Sequence, residues 1–209
     1  MPFDAVLCDF YDVIGYVDLT EHEQRERICG LAAGTTEKVA FAPELAVPAA
    51  LGQITAGQWT EAIAAGLTGL VGPQEAAELS RGFVEAGCRI DAEVVGLLRQ
   101  VRTQVPVVLV SNSTIQINAV LQAAGLDYSF DAVVTSAQVG AAKPDRRIYQ
   151  AAARAAGVAA GRCLFVDDRA SNVDAAIELG MTGVVYREPD DLRRALAPLL
   201  NGDHSPSSS

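Results

Sequence analysis

The stretch AVLCDFYDVIGYVD, residues 5–18, begins with four apolar residues and sets an acid, Asp9, directly behind them. An apolar run without alternation suits a strand covered on both faces, so residues 5–8 read as a buried strand. A carboxylate at the end of such a strand stands where an α/β enzyme places a nucleophile. Working outward, Val- and Leu-rich runs recur at 105–110, 132–135, 163–166 and 183–186. Helical patterns follow at 114–124, 145–156, 171–179 and 190–200, and Gly125, Gly157 and Gly180 stand just past the ends of three of them. Strands alternating with helices predict an α/β fold with a doubly wound parallel sheet.

Residues 19–87 interrupt the alternation. They carry only helical patterns, at 21–33, 37–46, 55–66 and 73–86, before a helix at 91–101 leads back to the sheet. An insertion placed directly after the first strand reads as a small helical cap over the strand ends, where open α/β sheets bind ligands. The expected organisation is a core of 1–18 and 88–200, a cap of 19–87, and a polar, disordered tail, NGDHSPSSS, at 201–209. In the cap, Thr55 suits the N-cap of an amphipathic helix carrying Ile63 and Leu67. Trp59 reads as a packing residue, and the Ala- and Gly-rich helices suit close packing or a homodimer contact.

Composition narrows the partners. A chain of 209 residues can bury a good core as one main domain with an insertion. Its net charge of −10 argues against a nucleic-acid partner, which needs a basic face. Cys8, Cys29, Cys88 and Cys163 form no CxxC pair and read as small core residues of a reducing compartment. There is no signal-peptide pattern at the start, and no apolar run approaches the roughly 18 residues of a membrane span. The expectation is a cytoplasmic protein without membrane association. His22, in a charged helix, and His204, in the tail, have no Cys or His at metal-binding spacing.

Four places beyond apolar strands carry polar residues: Asp9; Ser111 and Asn112 in VVLVSNST; Lys143 in GAAKPDRRIYQ; and Asp167 with Asp168 in CLFVDDRASNVDAA. Singly these read as caps, turns or solvated surface. The adjacent acids are different, because like charges side by side need a compensating cation. Four such places in order, each behind a strand, read as one site.

This ordered set resembles the haloacid dehalogenase-like superfamily of hydrolases over residues 4–186. FVDDRASNVDAAIELGM, residues 165–181, is similar to the FVDDRxxNVxxAxxLGM of its phosphatase-like branch. The resemblance implies a Rossmann-like core with a helical cap after the first strand. It also implies Asp9 as nucleophile, Ser111 with Asn112 holding the transferred group, and Lys143 neutralising nucleophile and substrate. Mg²⁺ would be held by Asp168, helped by Asp167, with Asp9 and the main-chain carbonyl of Tyr11. The implied activity is a Mg²⁺-dependent phosphatase acting on a small phosphorylated metabolite through an aspartyl-phosphate. Two anions must meet in such a reaction, and a hard divalent cation with an ammonium compensates them.

Tyr11 departs from that branch, whose members have Asp there to protonate the leaving oxygen and later deprotonate water. A phenol with pKa about 10 donates a proton but is a poor base near pH 7. Losing general acid–base help costs about 10² to 10⁴ in rate, so the expected phosphatase is slow or favours good leaving groups such as acyl or aryl phosphates. Asp12, in an extended segment, would face away from Asp9 unless a loop turn redirected it. Two alternatives stand beside this reading. A 2-haloacid dehalogenase also has Tyr at this place and releases halide without a proton. Those enzymes follow Tyr with Gly-Thr and carry an Arg some thirty residues after the nucleophile, whereas here Asp12-Val13 follows Tyr11 and the later position falls near Phe41. Arg25 and Arg27 lie earlier, on a helix face that reads as solvated. The other alternative is a catalytically silent relative that binds a phosphometabolite or a partner.

Overall fold

The computed structural model describes residues 3–113 and 117–200. The chain passes from β1 (Ala5–Cys8) to a short β2 (Gly15–Val17), then through α1 (Thr20–Ile28), α2 (Thr35–Ala40), α3 (Pro43–Ala50), α4 (Ala56–Leu67) and α5 (Pro73–Val84) to β3 (Cys88–Ile90). It continues as α6 (Ala92–Arg102), β4 (Val107–Ser111), α7 (Ile117–Ala123), β5 (Ala132–Thr135), α8 (Ser136–Val139) and α9 (Arg146–Ala156). The last elements are β6 (Cys163–Asp167), α10 (Ala170–Glu178), β7 (Thr182–Val185) and α11 (Pro189–Leu200).

Five strands pair in parallel in the order β5-β4-β1-β6-β7. Alternate residues of these strands feed two cores. Val6, Cys8, Val107, Leu109, Leu164 and Val166 pack with side chains of α6 and α11, whereas Ala5, Leu7, Val108, Val110 and Phe165 pack with those of α9 and α10. Both faces are covered, which is why the strands read as unbroken apolar runs. The α/β, doubly wound parallel sheet is therefore the fold of this chain.

Several boundaries differ from the sequence expectation. β4 starts at Val107, because Pro106 has no amide for the ladder, and it extends to Ser111. β7 starts at Thr182 and ends at Val185, although the Tyr186 amide still donates to the Asp167 carbonyl. The helix expected over 114–124 is seen as α7, with residues 114–116 outside the described residues. The tail, with His204, also lies outside them. The helix expected at 37–46 is two helices. Ala42 precedes Pro43 and takes an extended ψ of 134°, as the proline ring requires, and Pro43 then opens α3.

The ribbon of β2 against β3 was not anticipated. It joins the first strand to the inserted helices, and the Asp18 amide donates to the Gly87 carbonyl just beyond it. The inserted helices share an apolar cluster of Ala40, Ile63, Leu67, Ala76, Leu79 and Phe83. Trp59 packs there beside Phe41 and Phe83, its Nε1 donating to the Ala40 carbonyl at 3.2 Å. Thr55 and Gln58 form a capping box at the start of α4, as the sequence predicts. His22, set aside as part of a charged helix, is buried on α1 beside Glu26, whereas Arg25 and Arg27 are exposed. Between α3 and α4, Gly52 lies so close to Ala137 of α8 that a Cβ would come within 2.7 Å of the Ala137 carbonyl oxygen. Among the described residues, no helix is long and apolar enough to cross a membrane.

Candidate active site

Three adjacent strands bring the site together. Asp9 follows β1, Ser111 closes β4, and Asp167 closes β6 with Asp168 behind it. From β1 the chain winds one way to β4 and β5, then returns to the other side for β6 and β7. The carboxyl ends of the central strands therefore flank a topological switch point, where such sheets leave a crevice.

Lys143, from the loop between α8 and α9, binds these ends to one another. Its Nζ lies 2.7 Å from Asp9 Oδ2, and it donates to Asp167 Oδ2 at 2.7 Å and to the Val110 carbonyl at 3.0 Å. Three acceptors thus surround the ammonium, which has three protons to offer. The Lys143 side chain is only 1% exposed, and burying an unpaired ammonium would cost several kcal/mol by order of magnitude. Asn112 fixes the lysine's main chain: its Oδ1 accepts from the Lys143 amide at 2.7 Å and its Nδ2 donates to the Lys143 carbonyl at 3.0 Å.

Asp167 is fully buried and equally engaged. Its Oδ1 accepts from the Arg169 amide and from Asn172 Nδ2, both at 2.9 Å. The Asn172 carbonyl accepts in turn from the Tyr149 hydroxyl at 2.8 Å. Sequence reasoning gave these two residues no role. Asn172 lies inside the DDRASN run, and its offset of five from Asp167 was the available signal. Tyr149 reads only as a core residue.

Asp9 accepts from the Phe10 amide through Oδ1 at 2.7 Å. Burial pushes its carboxyl above the usual range; Lys143 pulls it down and Asp167 pushes it up. Asp168, half-buried, is also raised, first by burial and then by the charges of Asp167 and Asp12. Ligand oxygens of Asp9, Asp167 and Asp168 lie within 4.8 Å of one another, the one such group among the described residues. Three carboxylates against one ammonium leave negative charge uncompensated. The donors are hard oxygens, so the set fits Mg²⁺. Nearby, Ser111 Oγ is buried with no hydrogen-bond partner.

The segment after Asp9 does not stay extended. Asp12 takes a left-handed φ of 61°, the one positive φ outside glycine among the described residues, and its amide donates to the Gly15 carbonyl. Gly15 closes this turn where no side chain fits, since a Cβ would come within 2.6 Å of Cys88 Sγ and 2.7 Å of the Phe10 ring. The turn leaves the Asp12 side chain exposed, with its charge bearing on Asp168. Tyr11 stands edge-on to Phe10, ring centroids 5.0 Å apart, and packs against the apolar cluster that includes Phe10 and Val13. Burial, with the charges of Cys88 and Asp9, pushes its phenol up to about 12.

A family model described as haloacid dehalogenase-like hydrolase matches residues 4–180. Over 75 residues the chain is 47% identical to a phosphatase of Mycobacterium tuberculosis, the match covering 35% of this chain and 35% of that relative. The chain thus matches about a third of that relative's length. In structure it is similar to a HAD family enzyme of Bacteroides thetaiotaomicron, with a TM-score of 0.73 at 21% identity, covering 94% of this chain and 99% of the other. It is also similar to an L-2-haloacid dehalogenase of Xanthobacter autotrophicus with chloropropionic acid covalently bound, with a TM-score of 0.64 at 20% identity, covering 98% and 85%. At these identities the two structures speak to the fold.

Proposed function

The chain belongs to the haloacid dehalogenase-like hydrolase family, and from that premise we propose that it is a Mg²⁺-dependent phosphatase. Its substrate is a small phosphorylated metabolite, whose phosphoryl group is transferred to Asp9. The observation that carries the reading is the convergence of Asp9, Asp167 and Asp168, with ligand oxygens within 4.8 Å of one another and one buried ammonium paired to the first two.

Each residue then has a task. Asp9 forms the bond to phosphorus. Lys143 holds Asp9 in place and lowers the repulsion between its carboxylate and the incoming phosphate. Ser111, with its hydroxyl unengaged, donates to a phosphoryl oxygen, and Asn112 fixes the loop that carries Lys143. Asp9, Asp168 and the Tyr11 carbonyl would hold Mg²⁺, aided by Asp167, and the bound ion would supply charge neutralisation of the phosphoryl oxygens. Asp167 also orients Lys143. A cytoplasmic location suits such a substrate.

One observation favours a second reading. Tyr11 in place of an acid suits displacement of halide from a 2-haloacid, which needs no proton on the leaving group. That reaction needs no cation either, and it leaves the crowded carboxylates without a purpose. The deciding assay gives the purified protein acetyl phosphate and p-nitrophenyl phosphate, with Mg²⁺ or with EDTA, and 2-chloropropionate in parallel. Phosphate release that needs Mg²⁺ and is lost in Asp9→Asn is the expected result. Chloride release in EDTA would replace this reading with the dehalogenase. No turnover, with a Mg²⁺-dependent rise in melting temperature, would replace it with a binding role.

A further inference from the structure

The hydrogen bonds around Asp9 leave little that can move a proton. The Lys143 ammonium is paired with Asp9 and bonded to Asp167 and the Val110 carbonyl, Asp167 holds Lys143, Arg169 and Asn172, and the Asn112 amide is bonded at both ends to the Lys143 main chain. Asp168 is taken up by Mg²⁺ in the reading above; the hydroxyl of Ser111 and the phenol of Tyr11 remain, and Tyr11 is packed edge-on to Phe10. Either can donate a hydrogen bond, but neither is a carboxylate able to take a proton from water. Asp12 is exposed on the left-handed turn.

The two halves of a phosphoryl transfer make different demands on such a site. In the first, an Asp9 oxygen forms a bond to phosphorus while the bond from phosphorus to the leaving oxygen breaks, and the electron pair departs with that oxygen. A carboxylate leaving from an acyl phosphate keeps the pair and needs no proton, whereas an alkoxide must be protonated. In the second, a water oxygen bonds to phosphorus, the bond to Asp9 breaks, and its pair returns to the Asp9 carboxylate. The proton of that water must go to bulk solvent or to the departing phosphate.

We propose that the enzyme reacts with acyl phosphates and comparably activated phosphates, and that it accumulates as phosphoryl-Asp9 because hydrolysis of that bond is the slow half. This inference rests on the phosphatase reading and adds to it both the substrate class and the resting state during turnover. General acid–base help is worth about 10² to 10⁴ in rate, enough to make the unassisted half limit turnover. Accumulation of a covalent intermediate shows as a burst.

The test mixes protein, Mg²⁺ and acetyl phosphate, quenches in acid, and follows acetate, phosphate and intact protein mass. Expected are a burst of about one acetate per chain, protein heavier by one phosphoryl group, and phosphate release lagging behind. Glycerol 3-phosphate should label the protein at least about 10²-fold more slowly, and Tyr11→Asp should shorten the label's lifetime by about tenfold or more. Linear acetate release without labelled protein, or glycerol 3-phosphate reacting within about tenfold of acetyl phosphate, would overturn the inference and leave the phosphatase reading intact. A longer-lived label in Asp12→Asn would also overturn it, by showing that Asp12 serves the water step. If no donor labels the protein and none releases phosphate, the phosphatase reading fails and takes this inference with it.

Discussion

Replacing Lys143 by Met keeps most of the aliphatic volume and removes the ammonium, so Asp9 and Asp167 lose the cation that stands 2.7 Å from each. Breaking a buried ion pair from one side costs about 3–5 kcal/mol, because the remaining charge stays buried. Lys143→Met should therefore lower stability by about that amount in urea unfolding at pH 7 and reduce phosphate release by 10²-fold or more, on the order of losing one preorganised electrostatic group. The deficit should shrink as the pH falls, because the orphaned carboxylates then take up protons; an equal deficit at pH 4.5 and pH 7 would contradict this account. The same residues show what the sequence discloses at this scale. Asp9, Ser111, Asp167 and Asp168 were legible because polar groups behind apolar strands stand out, whereas Lys143, in the loop between α8 and α9, stood out only as part of the set. Tyr149 and Asn172 were not, because their bonds to the site follow from how α9 packs beside α10 and β6. The direction of Asp12 was hidden too. It follows from Gly15 meeting Cys88, which is distant in sequence.

Helix α2 has no side-chain cap of its own, and α1 supplies one. Glu26 is fully buried and its two oxygens accept from the amides of Thr36, at 2.6 Å, and Gly34, at 2.7 Å. Burial pushes its carboxyl up, but these amides and His22 outweigh that and leave it below the usual value. A carboxyl lowered in the fold adds stability above its unfolded pKa, and that stability is lost as the pH falls through the folded value. His22, with both ring nitrogens buried and unbonded, is lowered first by burial, against the pull of Glu26 and Glu23, while Arg25 lowers it further. It too loses stability for the fold below its unfolded pKa of about 6.5. Glu26→Gln should thus cost about 1–3 kcal/mol at pH 7, since one amide loses its acceptor, and less below pH 4. His22→Leu should flatten the decline in melting temperature between pH 6.5 and 5; an unchanged slope would remove His22 from the account. None of this was visible in the sequence, where α1 reads as a charged surface helix. Elements with long apolar runs or capping signals, such as β1 and α4, were legible. The β2–β3 ribbon was not, because three-residue strands are too short to show alternation, and the break before α3 needed the rule for residues preceding proline to be applied at Ala42.

At the scale of the whole molecule, the crowded acids place repelled charge in the fold, which a bound cation would relieve. Asp168 is raised by burial and by the charges of Asp167 and Asp12, which means the folded state disfavours its ionised form. Without metal, Asp168→Asn removes a repelled charge and should raise the melting temperature. With metal, the same substitution removes a ligand oxygen's charge and should abolish most of the response. A ligand that binds only the folded state at 100 times its Kd stabilises by about 2.7 kcal/mol. For a chain of this length each kcal/mol moves the midpoint by roughly 2–4 °C, so saturating Mg²⁺ should raise the wild-type melting temperature by roughly 5–10 °C. The two proteins should therefore cross: the Asn variant melts higher in EDTA, and the wild type melts higher in excess Mg²⁺. Calorimetric scans in the two conditions measure this without any substrate. If Asp168→Asn lowers the midpoint in EDTA, Asp168 serves the fold as a structural cap; if both proteins respond equally to Mg²⁺, the ion binds elsewhere and the convergence of Asp9, Asp167 and Asp168 does not make a metal site.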